Sequence, residues 1–409
     1  MSSYPAIAIT AAELNSVGGL HTYIQNLALG LKGKGWAVHL IATNNRGDYF
    51  HKLSQVVNCY DLSMLPLTRK KVYAAAELLQ EIAPDVLIMN HSPLLHYCLP
   101  LISTKIKPIA LLHSNDPRFY RIATSFSSRV FRWIAPTVAL AETCKKYLHP
   151  HDHMRIRVVP HGIDDGVFFA DAGSLHETTR SIIFVGSLDV HKGVDLVPEI
   201  FKVVLKQHPD IKLNIVGKGP SRLQLETRFK ELGIASSVKF LGSLTADELA
   251  GIYRKTDVLL LPTRIEGFGL AIAEAMMCGV VPIVTNLRGI TDQLVENGKT
   301  GFLVDQDHIT GFAGAASSLF SDVFAIEKMK AAASDRARQQ FSRGQMLESY
   351  EKLFAENDDR RTLRRRSTVG WMYETLSELM RKDVDGTLPL RHLGRLIKRP
   401  LLRAVGRQI

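Results

Sequence analysis

The chain has 409 residues, 46% of them hydrophobic and 22% charged, with a formal net charge of +11. That length exceeds one ordinary core, so two domains are expected, and the composition is that of a well-packed soluble α/β protein. A balance of +8 falls between Asp359 and Ile409, leaving +3 for residues 1–358, which lack the basic face with interleaved aromatics of a nucleic-acid binder.

The N-terminal segment MSSYPAIAITAAEL has no basic leader region, and no apolar run reaches the roughly 18 residues of a membrane-spanning helix. A cytoplasmic chain is expected. Strand-like runs then follow at 6–10, 38–43, 85–90, 108–113 and 136–141, with a short one at 157–160. They alternate with helical patterns, as in a parallel sheet built of βαβ units. This predicts a first Rossmann-like domain over 1–162. A polar, glycine-containing stretch at 163–180 reads as a linker. A second series of runs at 182–187, 211–217, 238–242, 258–262, 280–285 and 301–304 predicts another such domain over 181–340. Residues 341–358 have helical spacing at Met346, Tyr350 and Phe354, with Ser342 placed as an N-cap. The basic tail, 359–409, carries leucines at helical spacing. The four cysteines, Cys59, Cys98, Cys144 and Cys278, are scattered without a C-x-x-C pair, which argues against a disulfide framework and a structural zinc site.

Ligands of such open sheets bind beyond the carboxyl ends of the strands, so the loops there are the places to search. Gly18 and Gly19 stand before a helix, where bare amides and the helix dipole accept a phosphate; a tight turn needing glycine is the alternative. Gly33 and Gly35 follow that helix and read as its stop. The dinucleotide fingerprint G-x-G-x-x-G is absent at this turn, which disfavours a dehydrogenase. His113 ends the fourth run, where a side chain meets a ligand. His161 precedes the linker and lines a cleft or packs a hinge. The cluster HPHDH at 149–153 has no further ligand set to make a metal site. In the second half, Ser187 and Lys192 share a strand-to-helix loop, and Gly217, Gly219 and Pro220 open another.

The stretch RIEGFGLAIAEAMMCG, 264–279, follows the buried run VLLLP. Gly267 and Gly269 precede a helix expected near 270–277, with Glu266 at its entrance and Glu274 inside it. Paired carboxylates that cleave a glycosidic bond face each other across that bond. Two on one loop-helix segment lie side by side, which favours binding sugar hydroxyls.

Together these residues resemble the retaining GT-B glycosyltransferases of the group 1, family-four type. The resemblance rests on Val17-Gly18-Gly19, His113, VPHGID, VGSLDVHKG, VGKGP and EGFGLAIAE, the E-x7-E element, in order over about residues 5–357. It implies a GT-B fold, two Rossmann-like domains with a cleft between them, and a helix at 341–358 that crosses back to the first. It also implies roles. Gly18 and Gly19 would offer amides to the donor diphosphate or the acceptor side, and His113 would contact the donor sugar. Lys192 would bind the diphosphate, and Gly217 lies in a donor-side loop. Glu266 would hold the sugar hydroxyls, the amides of Gly267, Phe268, Gly269 and Leu270 the sugar and phosphate, and Glu274 the ribose. His113, Lys192 and Glu266 are the expected catalytic set. Ser187 stands where the family usually has Arg, so one expected diphosphate cation is missing; Lys192 with the helix N-termini, or Arg264, would have to compensate. His161 replaces a commoner Asn.

The resemblance further implies retention of anomeric configuration, with a UDP- or GDP-sugar as donor and a carbohydrate or lipid-linked acceptor of cell-surface polysaccharide, lipopolysaccharide or glycolipid synthesis. No metal or other cofactor is expected, although 305–307 and 383–385 match D-x-D. The tail at 359–409 would suit an anionic membrane surface on the inner face of the cell membrane, or would dock on its own domain. A silent nucleotide-sugar-binding module and a nucleotide-sugar epimerase of the same fold class are the other functions consistent with the motifs.

Overall fold

The computed structural model describes residues 5–14, 18–65, 69–90, 92–170, 180–358 and 360. Among them, thirteen strands form two separate parallel sheets. The first contains β1 (Ala6–Ala11), β2 (Ala37–Ala42), β3 (Asn58–Asp61), β4 (Val86–Asn90), β5 (Lys107–Leu111), β6 (Arg132–Ala135) and β7 (Ile156–Val158), in the order 3-2-1-4-5-6-7. The second contains β8 (Ser181–Val185), β9 (Lys212–Val216), β10 (Val238–Gly242), β11 (Val258–Leu261), β12 (Val281–Thr285) and β13 (Phe302–Val304), in the order 10-9-8-11-12-13. The winding reverses between β1 and β4 and again between β8 and β11. In open sheets such reversals are where ligands bind, beyond the carboxyl ends of the strands.

The central strands read as continuous apolar runs because helices cover both faces. Ile7 of β1 lies between Val38 and Val86, and all three are buried. Separate cores form on the two faces of the first sheet, and another fills the second domain. This is the expected α/β architecture of two Rossmann-like units.

One expected strand is absent, and two strands form where none was expected. Residues 136–141 are not a strand: Thr137 is extended, and the helix Val138–Lys145 begins after it. A short, mainly apolar run without a clear period suits either state, and here the preceding residues already supply the strand. That strand, β6, is hidden in the sequence by Arg132, a buried arginine that pairs with Glu356. The edge strand β3, Asn-Cys-Tyr-Asp, is only half buried and lacks an apolar signature.

The chain crosses between domains twice, and the two crossings are joined. Ile163 N–H donates to Phe341 O, and Arg343 N–H donates to Ile163 O, each at 2.7 Å. A Cβ at Gly162 would stand 2.8 Å from Arg343 Cα, so glycine lets the two segments touch. Ser342 caps the helix Arg343–Ala355 through the Gln345 amide. That helix returns to the first domain, where Met346, Leu347, Tyr350, Leu353 and Phe354 join the core. Tyr350 OH meets Tyr23 OH at 2.5 Å. Arg360 is buried against the same domain, donating to Ile106 O and Arg129 O. The other residues of the basic tail, 359 and 361–409, lie outside the described residues, as does the D-x-D at 383–385.

Candidate active site

His113 lies two residues beyond β5. Its Nε2 meets Asn90 Oδ1 at 2.7 Å, and Asn90 Nδ2 donates to Thr10 O at 2.7 Å. Because the amide nitrogen is spent on Thr10, the Asn90 oxygen must accept, so His113 Nε2 carries a hydrogen. Two strand ends, β1 and β4, thereby set the tautomer of a residue on a third. Asn90 was not among the sequence candidates, although a polar residue closing a fully buried apolar strand was the available signal.

Across the cleft, Lys192 sits on the turn after β8, and Glu266 on the loop after β11. Lys192 Nζ lies 2.6 Å from Glu266 Oε1, with both side chains mostly buried. Their two loops are bound together: Arg264 and Ile265 N–H both donate to His191 O. Gly193, at φ +67°, allows this approach, since a Cβ there would stand 1.8 Å from Pro262 O.

The helix Leu270–Met277 starts after Gly269, which has φ +99°. Glu274 lies on its buried face, and among the described residues no hydrogen bond holds its carboxylate. Burial pushes the Glu274 carboxyl up from 4.5 to about 7. Within the fold this buried carboxylate keeps its hydrogen-bonding capacity unused.

The domains meet at these loops. A Cβ at Gly19 would stand 3.1 Å from Leu270 Cδ1, so the N-termini of the helices Gly19–Gly33 and Leu270–Met277 face each other. Thr137 Oγ1 donates to Gly267 O at 3.1 Å, and a Cβ at Gly267 would stand 2.1 Å from His113 O. Gly267→Ala is therefore expected to wedge the cleft open and cost roughly a hundredfold in turnover, through lost alignment of the two halves. Steady-state rates of a variant with an unchanged unfolding midpoint check this; a wild-type rate would show that this contact is absent from the working state.

His161 lies in a ring cluster with Tyr23 (4.4 Å), His113 (5.3 Å) and Phe268 (5.1 Å). Burial holds its imidazole down at about 3, so it stays neutral and packs the hinge.

This geometry can be set beside known proteins. The family model described as Glycosyltransferase Family 4 matches residues 17–167, and that of Glycosyl transferases group 1 matches residues 169–340. The chain belongs to the group 1 glycosyltransferases. It is 27% identical to an uncharacterized glycosyltransferase of Haemophilus influenzae, over 73% of this chain and 85% of that one. It is 26% identical to the N-acetyl-alpha-D-glucosaminyl L-malate synthase of Bacillus anthracis, over 83% and 94%. The fold is similar to that of S. aureus TarM, with TM-score 0.72 at 12% identity over 86% and 100% of the two chains. It is equally similar to Anabaena HepE, with TM-score 0.72 at 17% identity over 85% and 99%.

Within this glycosyltransferase the structure gathers Gly19, His113, Lys192, Glu266, Gly267 and Leu270 at one cleft, with Gly18 at the turn before Gly19. Phe268 packs against His161, and Gly269 starts the helix that carries Glu274. Ser187 is exposed on the turn with Lys192. Gly217 has a different reason to be glycine: at φ +136°, a Cβ would stand 1.8 Å from Gly186 O, so the pinch is against the neighbouring loop. Arg264 is no spare cation in the transferase. It forms ion pairs with Asp195 and with Asp307 of the 305–307 motif. Asp152 of HPHDH is buried against Arg155, and among the described residues no three metal-ligating side chains converge.

Proposed function

We propose that this glycosyltransferase moves a sugar from a nucleoside-diphosphate sugar, UDP- or GDP-linked, to a hydroxyl of a carbohydrate or lipid-linked acceptor, with retention of anomeric configuration. The observation that carries this reading is the Lys192–Glu266 pair facing the His113 loop, with the donor-less Glu274 carboxylate on the adjoining helix. Glu274 takes the ribose hydroxyls, and Lys192 moves from Glu266 to the diphosphate. Glu266 is then released to accept from the sugar. The first-turn amides of the helices Gly19–Gly33 and Leu270–Met277 complete the cradle. HepE, of the same fold, was solved in complex with UDP and glucose, and TarM in complex with UDP.

In this reaction the bond from the anomeric carbon to the diphosphate oxygen breaks, and its electron pair goes to the phosphate. The acceptor oxygen bonds to that carbon from the same face, and its proton passes to the departing diphosphate. Fixed positive charge beside that oxygen lowers the barrier, so no protein nucleophile and no metal are required. His113 holds the sugar side through the orientation given by Asn90. The product belongs to cell-surface polysaccharide, lipopolysaccharide or glycolipid synthesis, and the site works at the cytoplasmic side of the membrane, with residues 359–409 as the part that meets the anionic surface.

Thermal-shift measurements with UDP-, GDP- and ADP-sugars identify the donor, and NMR of the product of the best one gives its anomeric configuration. Stabilisation by none of them sinks the donor assignment. An inverted product sinks retention, and equal pelleting with anionic liposomes with or without residues 386–409 sinks the membrane role.

A further inference from the structure

The cations of the proposed donor site do not balance the charge they must meet. A diphosphate diester brings two negative charges. Lys192 is paired with Glu266, and Arg264 is held by Asp195 and Asp307. One further basic side chain reaches the same turn. His191 Nδ1 lies 2.8 Å from Asp189 Oδ1, and its Nε2 lies 3.5 Å from Ser187 Oγ. The backbone holds this arrangement: Asp189 Oδ1 also accepts from His191 N–H, and His191 O accepts from Arg264 N–H at 2.9 Å. The stem of Lys192 passes over the same turn, where a Cβ at Gly186 would stand 3.7 Å from Lys192 Cγ. Lysine and histidine thus converge on residues 186–187 from one short segment. Asp189 accepts from Nδ1, so the Nε2 edge faces Ser187 and the cleft. The carboxyl of Asp189 is lowered by its hydrogen bonds from His191, as expected of a group that stays ionised to orient the ring.

We propose that the imidazolium of His191, with Nδ1–H held by Asp189, donates Nε2–H to the diphosphate of the nucleotide sugar and is its second cation. This rests on the donor reading above. The charged groups around the ring are Asp189 and Lys192 on its own segment, Arg264 and Glu266 on the loop after β11, Asp195 on the following turn and Lys218 on the loop after β9, whose carbonyl accepts from Leu188 N–H. Asp189 on the histidine's own turn and the arriving diphosphate both favour a positive ring, whereas Asp195 is taken up by Arg264. Donor binding then strengthens as pH falls.

Calorimetric titration of the full chain with UDP and GDP, from pH 5.5 to 8.5, tests this. Glu274 and the nucleotide's own phosphates titrate identically in every variant, so the ratio of variant to wild type isolates His191. His191→Gln is expected to bind about tenfold more weakly than wild type at pH 6 and nearly equally at pH 8.5. His191→Arg is expected to restore tight binding and flatten its pH dependence, and Asp189→Asn to move the wild-type step to lower pH. If His191→Gln matches wild type at every pH, the inference fails while the donor reading stands. If wild type binds neither UDP nor GDP, nor ADP as a third trial, the donor reading fails and takes this one with it.

Discussion

Lys192→Ala is expected to lose roughly two to three powers of ten in kcat/KM, the effect of removing a preorganised charge from a developing oxyanion. The size follows from how little else can stand in. Arg264 is committed to two carboxylates, Ser187 offers only a neutral hydroxyl, and the His191 ring is held at its own place by Asp189. Removing Lys192 also leaves Glu266 mostly buried without its partner, so a structural loss must be separated from a catalytic one. A double variant, Lys192→Met with Glu266→Gln, removes both charges. If the pair only held two loops together, the double variant would match Glu266→Gln alone in activity once stability is restored. A kinetic loss well beyond that of Glu266→Gln alone, in a protein with a restored unfolding midpoint, assigns Lys192 to the phosphate.

Glu274→Gln is expected to make the free protein more stable at pH 8 and a poorer binder of its donor. The carboxyl ionises at 4.5 when unfolded and at about 7 in the fold, because burial opposes its charge. Between those values the folded state holds more protons than the unfolded one, so stability falls as pH rises through that window. The penalty is absent below the lower value and reaches about 3 kcal/mol above the upper one. Glutamine has the same shape without the charge, so the variant should gain an amount of that order at pH 8 and nothing at pH 4.5. Denaturant unfolding at the two pH values reads this directly. Against the donor, the loss of charge-assisted hydrogen bonds to two hydroxyls is expected to weaken binding by roughly ten- to a hundredfold. Near pH 7 the wild type should also release a proton on binding, seen as a buffer-dependent heat that the variant lacks. A variant with unchanged stability and unchanged affinity would remove Glu274 from the ribose.

Much of this fold was legible in the sequence because buried parallel strands announce themselves. Runs such as VLLLP and IIFVG are apolar throughout, and each is followed at once by glycine or polar residues where the chain leaves the sheet. The exceptions have particular causes. Arg132 disguised β6, since its burial depends on Glu356, more than two hundred positions away. The run at 136–141 has no period, and the sheet had already taken its strand from the residues before it. The half-buried edge strand β3 needs only one good face and left no run to read.

At the site the same division holds. The sequence by itself pointed to the loops that meet at the cleft, because the glycines, His113, Lys192 and Glu266 follow apolar strands. Tertiary structure alone decided the state of each group. It pairs Lys192 with Glu266 and locks Arg264 onto Asp195 and Asp307, partners many positions apart. It also buries Glu274 without a donor and assigns the pinch at Gly217 to Gly186, and that at Gly267 to the carbonyl of His113. Residue type and spacing set what a loop can do. Whether a charge is available, neutralised or desolvated depends on groups that only folding brings within a few ångströms, where electrostatic energy is decided.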